Sequence, residues 1–174
     1  GDETPMLQSS IHSVVLNPPW NVPAGIAQRE LFPKGAAYLA RNGFKVIGTG
    51  ANRRLQQSPA QSALGRYKFD FSNPFAVYLH DTPSKGTFSR FDRLASHGCI
   101  RLERPADLAR LLLEGSTQWT PEAIDGALEK GDTVRAALPN QVAVYLLYWT
   151  AYASGTGTMN FRGEQVSRSA RLAT

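Results

Sequence analysis

The stretch Tyr67-Lys68-Phe69-Asp70-Phe71 alternates aromatic and charged side chains over five residues. Successive side chains of a strand point to opposite faces, so this pattern calls for a sheet with one apolar face and one charged face. Ser72-Asn73-Pro74 turns the chain, and residues 76–79 read as the partner strand that delivers His80 at its end. Residues 11–17 form another apolar strand, stopped by Pro18-Pro19. Further strands are predicted at 133–137, 142–152 and 158–162, with a Ser154-Gly155-Thr156-Gly157 turn before the last. Helices interrupt this pattern twice near the C-terminal side. Pro105 opens one that closes near Gly115, with Leu108, Leu111 and Leu112 on one apolar face. Thr120 caps the other, with Pro121 at its first position and Gly131 beyond its end. The expected fold is a single domain, mainly β with peripheral α, of the α+β class.

Residues 24–63 do not follow the strand pattern. Short helices are expected around 26–31 and 36–41, and a strand at 44–47. The polar run 52–62 carries no period and reads as a mobile loop.

Composition limits the functional classes. The 174 residues are 42% hydrophobic, enough for a core, yet no apolar run approaches the roughly 20 residues of a membrane span. Gly1-Asp2-Glu3-Thr4-Pro5 does not read as a signal peptide. A single cysteine allows no internal disulfide and leaves the redox compartment unread. The net charge of +5 suits a solvated surface with weak attraction for a carboxylate-bearing polymer. Basic and aromatic residues form no ladder suited to nucleic acid.

The chemistry is concentrated in Ser96-His97-Gly98-Cys99-Ile100-Arg101 and in His80, with 15 residues between His80 and Ser96. Free cysteines are usually buried and inert. Cys99, however, lies among two of the three histidines of the chain. A thiolate with an imidazole to take its proton is the minimum kit for nucleophilic acyl transfer. His12 lies far from the motif in sequence and reads as structural. A zinc site of His80, His97 and Cys99 is a rival, opposed by the absence of CxxC, HExxH or a second cysteine. A catalytically silent binding or scaffold module is the other.

The spaced motif His80…Ser96-His97-Gly98-Cys99-Ile100-Arg101 resembles the L,D-transpeptidase (YkuD-like) family. Arg101 stands where that family usually has Asn. Asn17-Pro18-Pro19-Trp20-Asn21-Val22-Pro23, Leu64-Gly65-Arg66-Tyr67-Lys68-Phe69 and Tyr78-Leu79-His80-Asp81-Thr82-Pro83 look like its large periplasmic branch with a capping subdomain. The resemblance runs over about residues 4 to 162. It implies a β-sandwich or barrel with residues 24–63 as a shortened helical cap. The opening β-hairpin usual in such domains is missing, which implies a chain starting inside the domain. The resemblance makes Cys99 the nucleophile and His80 the base, oriented by the backbone carbonyl of Asp81 rather than by its side chain. His97 then shapes the site, and the N–H groups of His97, Gly98 and Cys99 form the oxyanion hole. Ser96, Tyr78, Trp20 and Arg101 fall to substrate binding. The implied partners are peptidoglycan stem peptides and carbapenem β-lactams. Cys99 would expel D-Ala and pass the acyl group to a diamino-acid amine as a 3→3 cross-link. The resemblance calls for no cofactor and implies a periplasmic location.

Overall fold

The computed structural model describes residues 4–90, 98–149 and 151–161. In chain order its strands are β1 (Leu7–Leu16), β2 (Trp20–Val22), β3 (Phe44–Ile47), β4 (Arg54–Gln57), β5 (Tyr67–Phe71), β6 (Leu79–His80), β7 (Ile100–Arg101), β8 (Val134–Leu146), β9 (Ala151–Ala153) and β10 (Met159–Phe161). The α-helices are α1 (Ala24–Ile26), α2 (Ala36–Arg41), α3 (Pro105–Leu112) and α4 (Pro121–Lys130). The fold is mainly β with helices added, as the alternating sequence requires.

The aromatic–charged strand β5 lies at the centre of a five-stranded sheet of order β7-β6-β5-β1-β8. All neighbours in it are antiparallel except β6 and β7. Tyr67, Phe69 and Phe71 point to one face, where they pack with Val14, Leu16 and Ala136 against Ala109, Leu112, Ile124 and Leu128 of α3 and α4. This is the main core. Lys68 and Asp70 point to the opposite face, as do their register partners Val15, Ser13 and His80. The two faces therefore divide stability from chemistry.

A bulge in β1 makes this division possible. Ile11 pairs with Phe71 and Ser13 with Asp70, so His12 is an extra residue between them. Without it Ile11 and Val14 would lie on opposite faces, and both belong to the core. On the other side of β1, Ile11 pairs with Val142 and Ser13 with Ala137. Residues 138–141 bulge out of β8, which accounts for the expected break between two strands there. The sequence placed the second of those strands over 142–152. Pairing instead ends at Leu146, and Ala151 begins a separate hairpin of β9 with β10.

The polar run expected as a loop contains β4, the central strand of a second sheet of order β2-β4-β3. Tertiary pairing overrides its composition, because β4 is hydrogen-bonded on both edges and buries Leu55 and Gln57. The Gln57 amide is satisfied, donating to the Asn42 carbonyl at 3.0 Å and accepting from Ala63 N–H at 2.9 Å. Val22, Ile26, Leu31, Leu39, Phe44 and Leu55 form this unit's own core. The sheet also includes Trp20–Val22, ahead of residue 24.

Asn17 ties the end of β1 to α4. It sits at φ 47°, a left-handed conformation that Asn tolerates better than most residues. Its side-chain amide donates to the carbonyls of Ala127 at 3.0 Å and Asp132 at 3.1 Å, and its own carbonyl accepts from the Thr133 hydroxyl at 2.7 Å. Gly131, also left-handed at φ 77°, closes α4 beside it. Asn17→Ala leaves two carbonyls unpaired in a 5% exposed site and strains the backbone. We expect it to lower the unfolding free energy by about 2–4 kcal/mol in a urea titration monitored by circular dichroism.

Candidate active site

Strands β6 and β7 pair in parallel, with Leu79 opposite Ile100 and His80 opposite Arg101. Ile100 N–H donates to the Tyr78 carbonyl at 3.2 Å, and Leu102 N–H donates to that of His80 at 2.8 Å. The register sets Cys99 beside Tyr78. The Tyr78 backbone N–H and phenol O–H lie on the thiol's side as donors that favour its charged form. Burial pushes the half-buried thiol's pKa up, and these two donors and the Lys68 ammonium pull it partly back. The Tyr78 phenol is raised in turn, by burial first and by Cys99 second. Trp20, from the smaller sheet, acts on the phenol as a donor that favours its charged form. The Lys68 ammonium lies 4.5 Å from the centre of the Tyr78 ring, a cation–π contact.

His80 is 5% exposed and meets the Tyr78 ring edge-on, with centroids 5.8 Å apart. Its Nδ1 donates to the Asp81 backbone carbonyl, and the Leu64 carbonyl also accepts from the ring. Burial nonetheless lowers its pKa, helped by the charge of Arg101. The resting pair is a neutral imidazole and a neutral thiol.

The Asp81 carboxylate has other duties. It accepts from the N–H groups of Arg66 at 2.8 Å and Thr82 at 2.7 Å, and pairs with Lys85 at 2.7 Å. The backbone of Gly65, at φ 65°, passes so close that a Cβ there would overlap this carboxylate. The carboxylate thus fixes the loop before β5, while the carbonyl of the same residue holds the imidazole. Gly98 adopts φ 104° just before the cysteine, a backbone shape that glycine permits, and its carbonyl accepts from the Thr4 hydroxyl at 2.9 Å.

The structure thus brings together His80, Asp81, Tyr78, Gly98, Cys99, Arg101 and Trp20. Ser96 and His97 lie outside the described residues. Arg101 Nε is buried without a hydrogen-bond partner among the described residues. That orphaned donor invites an acceptor. Among the described residues no three His, Cys, Asp or Glu side chains gather as for a metal, though the zinc trio read from sequence includes His97. Lys68 was not singled out by sequence, although its charged position in the alternating strand was visible. Its register opposite His80 was not.

A half-buried thiol beside Tyr78, with a neutral imidazole on the same sheet face, is an arrangement that suits acyl transfer through a covalent intermediate. The model of the YkuD family, the L,D-transpeptidase catalytic domain, matches residues 1–125. A Haemophilus influenzae protein named "Putative L,D-transpeptidase" is 32% identical over 177 aligned residues, which cover 90% of this chain. The aligned region is 36% of that protein, so the chain spans about a third of its relative's length. No helix among the described residues is long and apolar enough to cross a membrane. With the motif, the fold and the matched span in agreement, the chain belongs to the YkuD family of L,D-transpeptidase catalytic domains.

Proposed function

We propose that this domain is a cysteine-dependent L,D-transpeptidase acting on peptidoglycan tetrapeptide stems in the periplasm. The observation that carries the reading is the β6–β7 register, which sets Cys99 and Arg101 against Tyr78 and His80 on one sheet face. Cys99 attacks the carbonyl of the third stem residue, and its proton passes to His80. The C–N bond to the terminal D-Ala breaks as His80 returns that proton to the departing amine. A thioester remains. The amine of a diamino acid on a second stem then attacks the thioester, giving a 3→3 link and freeing the thiol.

The backbone N–H groups of Gly98 and Cys99, with that of His97, serve as oxyanion donors in this reading, each worth about 2.7–4 kcal/mol. Arg101 takes a donor-stem carboxylate, which its unpartnered Nε supports. Trp20 walls the donor cleft from the smaller sheet, and Ser96 and His97 shape it. The unit around residues 24–63 caps the site. A silent wall-binding module remains the rival, and covalent labelling separates the two.

Incubation with a carbapenem is expected to add the inhibitor's intact mass, mapped by tryptic peptides to Cys99. A folded sample of unchanged mass would sink the nucleophile. Replacing His80 with Ala should slow that acylation by about 10²-fold or more, the scale of acid–base help.

The pH dependence has a defined sign. The lowered His80 pKa keeps the base neutral, so acylation should hold as pH falls and be lost only below the ordinary imidazole value of about 6.5. The raised Cys99 pKa means that iodoacetamide alkylation keeps climbing above the ordinary thiol value of about 8.5. Stopped-flow acylation and mass-monitored alkylation across pH check both limbs.

A further inference from the structure

The chain's positive charge is not spread evenly. Residues 20–63 hold six lysines and arginines and one acid, Glu30, while the other 13 basic residues are matched by 13 acids. The whole net charge of +5 therefore belongs to the smaller unit. Within it, residues 45–54 run from β3 through a turn into β4, and every one of them is exposed. This tip carries Lys45, Arg53 and Arg54, no acid, and two bare aliphatic side chains, Val46 at 51% and Ile47 at 40% exposure. Gly48 and Gly50, both at positive φ, shape its turn.

Register sets the tip apart from the candidate active site. At one end of the smaller sheet Gln57 pairs with Trp20 and Phe44, and Trp20 acts on Tyr78. At the other end Arg54 pairs with Ile47. A strand rises about 3.3 Å per residue, so Arg54 already lies roughly 10 Å along β4 from the Trp20 end, and the turn lies beyond it.

The cations of the tip are available. Lys45, Arg53 and Arg54 pair with no carboxylate among the described residues. Arg53 lies 4.2 Å from the centre of the Phe32 ring, a cation–π contact. A cleft of about 390 Å³ opens beside it, with Val22, Phe32 and Leu55 in its apolar lining and both arginines in its wall. Such a space receives a phosphate headgroup between two guanidinium forks.

The mixture of charge and bare aliphatic surface selects the partner. A soluble polyanion would use the cations and leave Val46 and Ile47 in water. A second copy would bring the same positive tip and be repelled. An acidic bilayer uses both kinds of side chain, with cations among its phosphates and aliphatics at the acyl boundary. We propose that the β3–β4 tip docks this domain on a phospholipid bilayer with acidic headgroups. Val46 and Ile47 are neighbours on a strand and point to opposite faces, so both enter the bilayer only when the hairpin approaches tip first. Lys45, Arg53 and Arg54 then hold lipid phosphates around it. The assignment goes beyond the acyl-transfer reading and does not depend on it.

The test is co-sedimentation of the whole chain with vesicles of phosphatidylcholine alone or mixed equally with phosphatidylglycerol. The protein should sediment with the acidic vesicles, stay in solution with the neutral ones, and bind less as salt is raised. Arg53→Gln with Arg54→Gln should lower the partition coefficient by at least about tenfold, because each cation near an acidic surface contributes about fivefold. Val46→Ser with Ile47→Ser should lower it by about tenfold and leave its salt dependence in place. Lys130→Gln, which removes an exposed cation of α4, should leave it unchanged. All the replaced tip side chains are exposed, so these variants keep the fold. Equal binding to both vesicles, or to neither, overturns the proposal. Loss with the arginine pair but none with Val46→Ser and Ile47→Ser would reveal a site for soluble polyanions, and overturns it too. A loss with Lys130→Gln as large as with the arginine pair would mean that charge acts without regard to place, which also overturns it.

Discussion

Two main-chain hydrogen bonds, Ile100 N–H to Tyr78 and Leu102 N–H to His80, hold the candidate active site together. The parallel pair they form is only two residues long and lies at the sheet edge. Short edge pairings are weak by themselves. This one is braced from the other side by Asp81, whose N–H donates to the Tyr67 carbonyl at 2.8 Å while its carboxylate takes the N–H groups of Arg66 and Thr82. A slip of one residue between β6 and β7 would turn Cys99 away from the face that carries His80. Positioning of Cys99 is therefore a matter of register, and register is set by backbone and carboxylate together.

The electrostatics of the face follow from the same register. Burial disfavours charge on both His80 and Cys99, which keeps the pair neutral at rest. Of the charges that remain nearby, Lys68 lies over Tyr78 and against Asp70, Asp81 lies against Lys85, and Arg101 keeps a buried Nε without a partner among the described residues. A thiolate at Cys99 would meet the Tyr78 donors and the Lys68 charge that already favour it. Stabilisation that exists before the charge develops needs no reorganisation when it does.

Much of this was legible in sequence because the signals were local. The alternation at 67–71 revealed both faces of β5. Thr120-Pro121 and Gly131 marked the ends of α4, where the Thr120 hydroxyl accepts from Ala123 N–H. The spaced histidine and cysteine pointed to candidate residues without their geometry. The features that stayed hidden depend on partners distant in the chain. The run Arg54–Gln57 becomes a strand only because β2 and β3 flank it. His12 turns to the charged face through a bulge defined against β5, and nothing in residues 11–17 alone announces an extra residue. Lys68 gains its place from being opposite His80, a pairing between strands.

The bulge at His12 connects the two halves of the argument. A β-strand without it would have to choose between the core and the charged face for Ile11 relative to Val14 and Leu16. With it, one strand supplies three buried apolar side chains to the helix-covered face and still directs Ser13 and His12 to the other. An irregular strand is tolerated here because its neighbours β5 and β8 continue the pairing on either side. Buried Ser13 is satisfied by Arg135, and Asp70 by Lys68 and Arg135, so the charged face avoids the cost of unpaired buried groups. The same irregularity that completes the core thus sets His12 beside Lys68 and Tyr78 in a cleft on the charged face, and that placement follows from a packing requirement of the sheet.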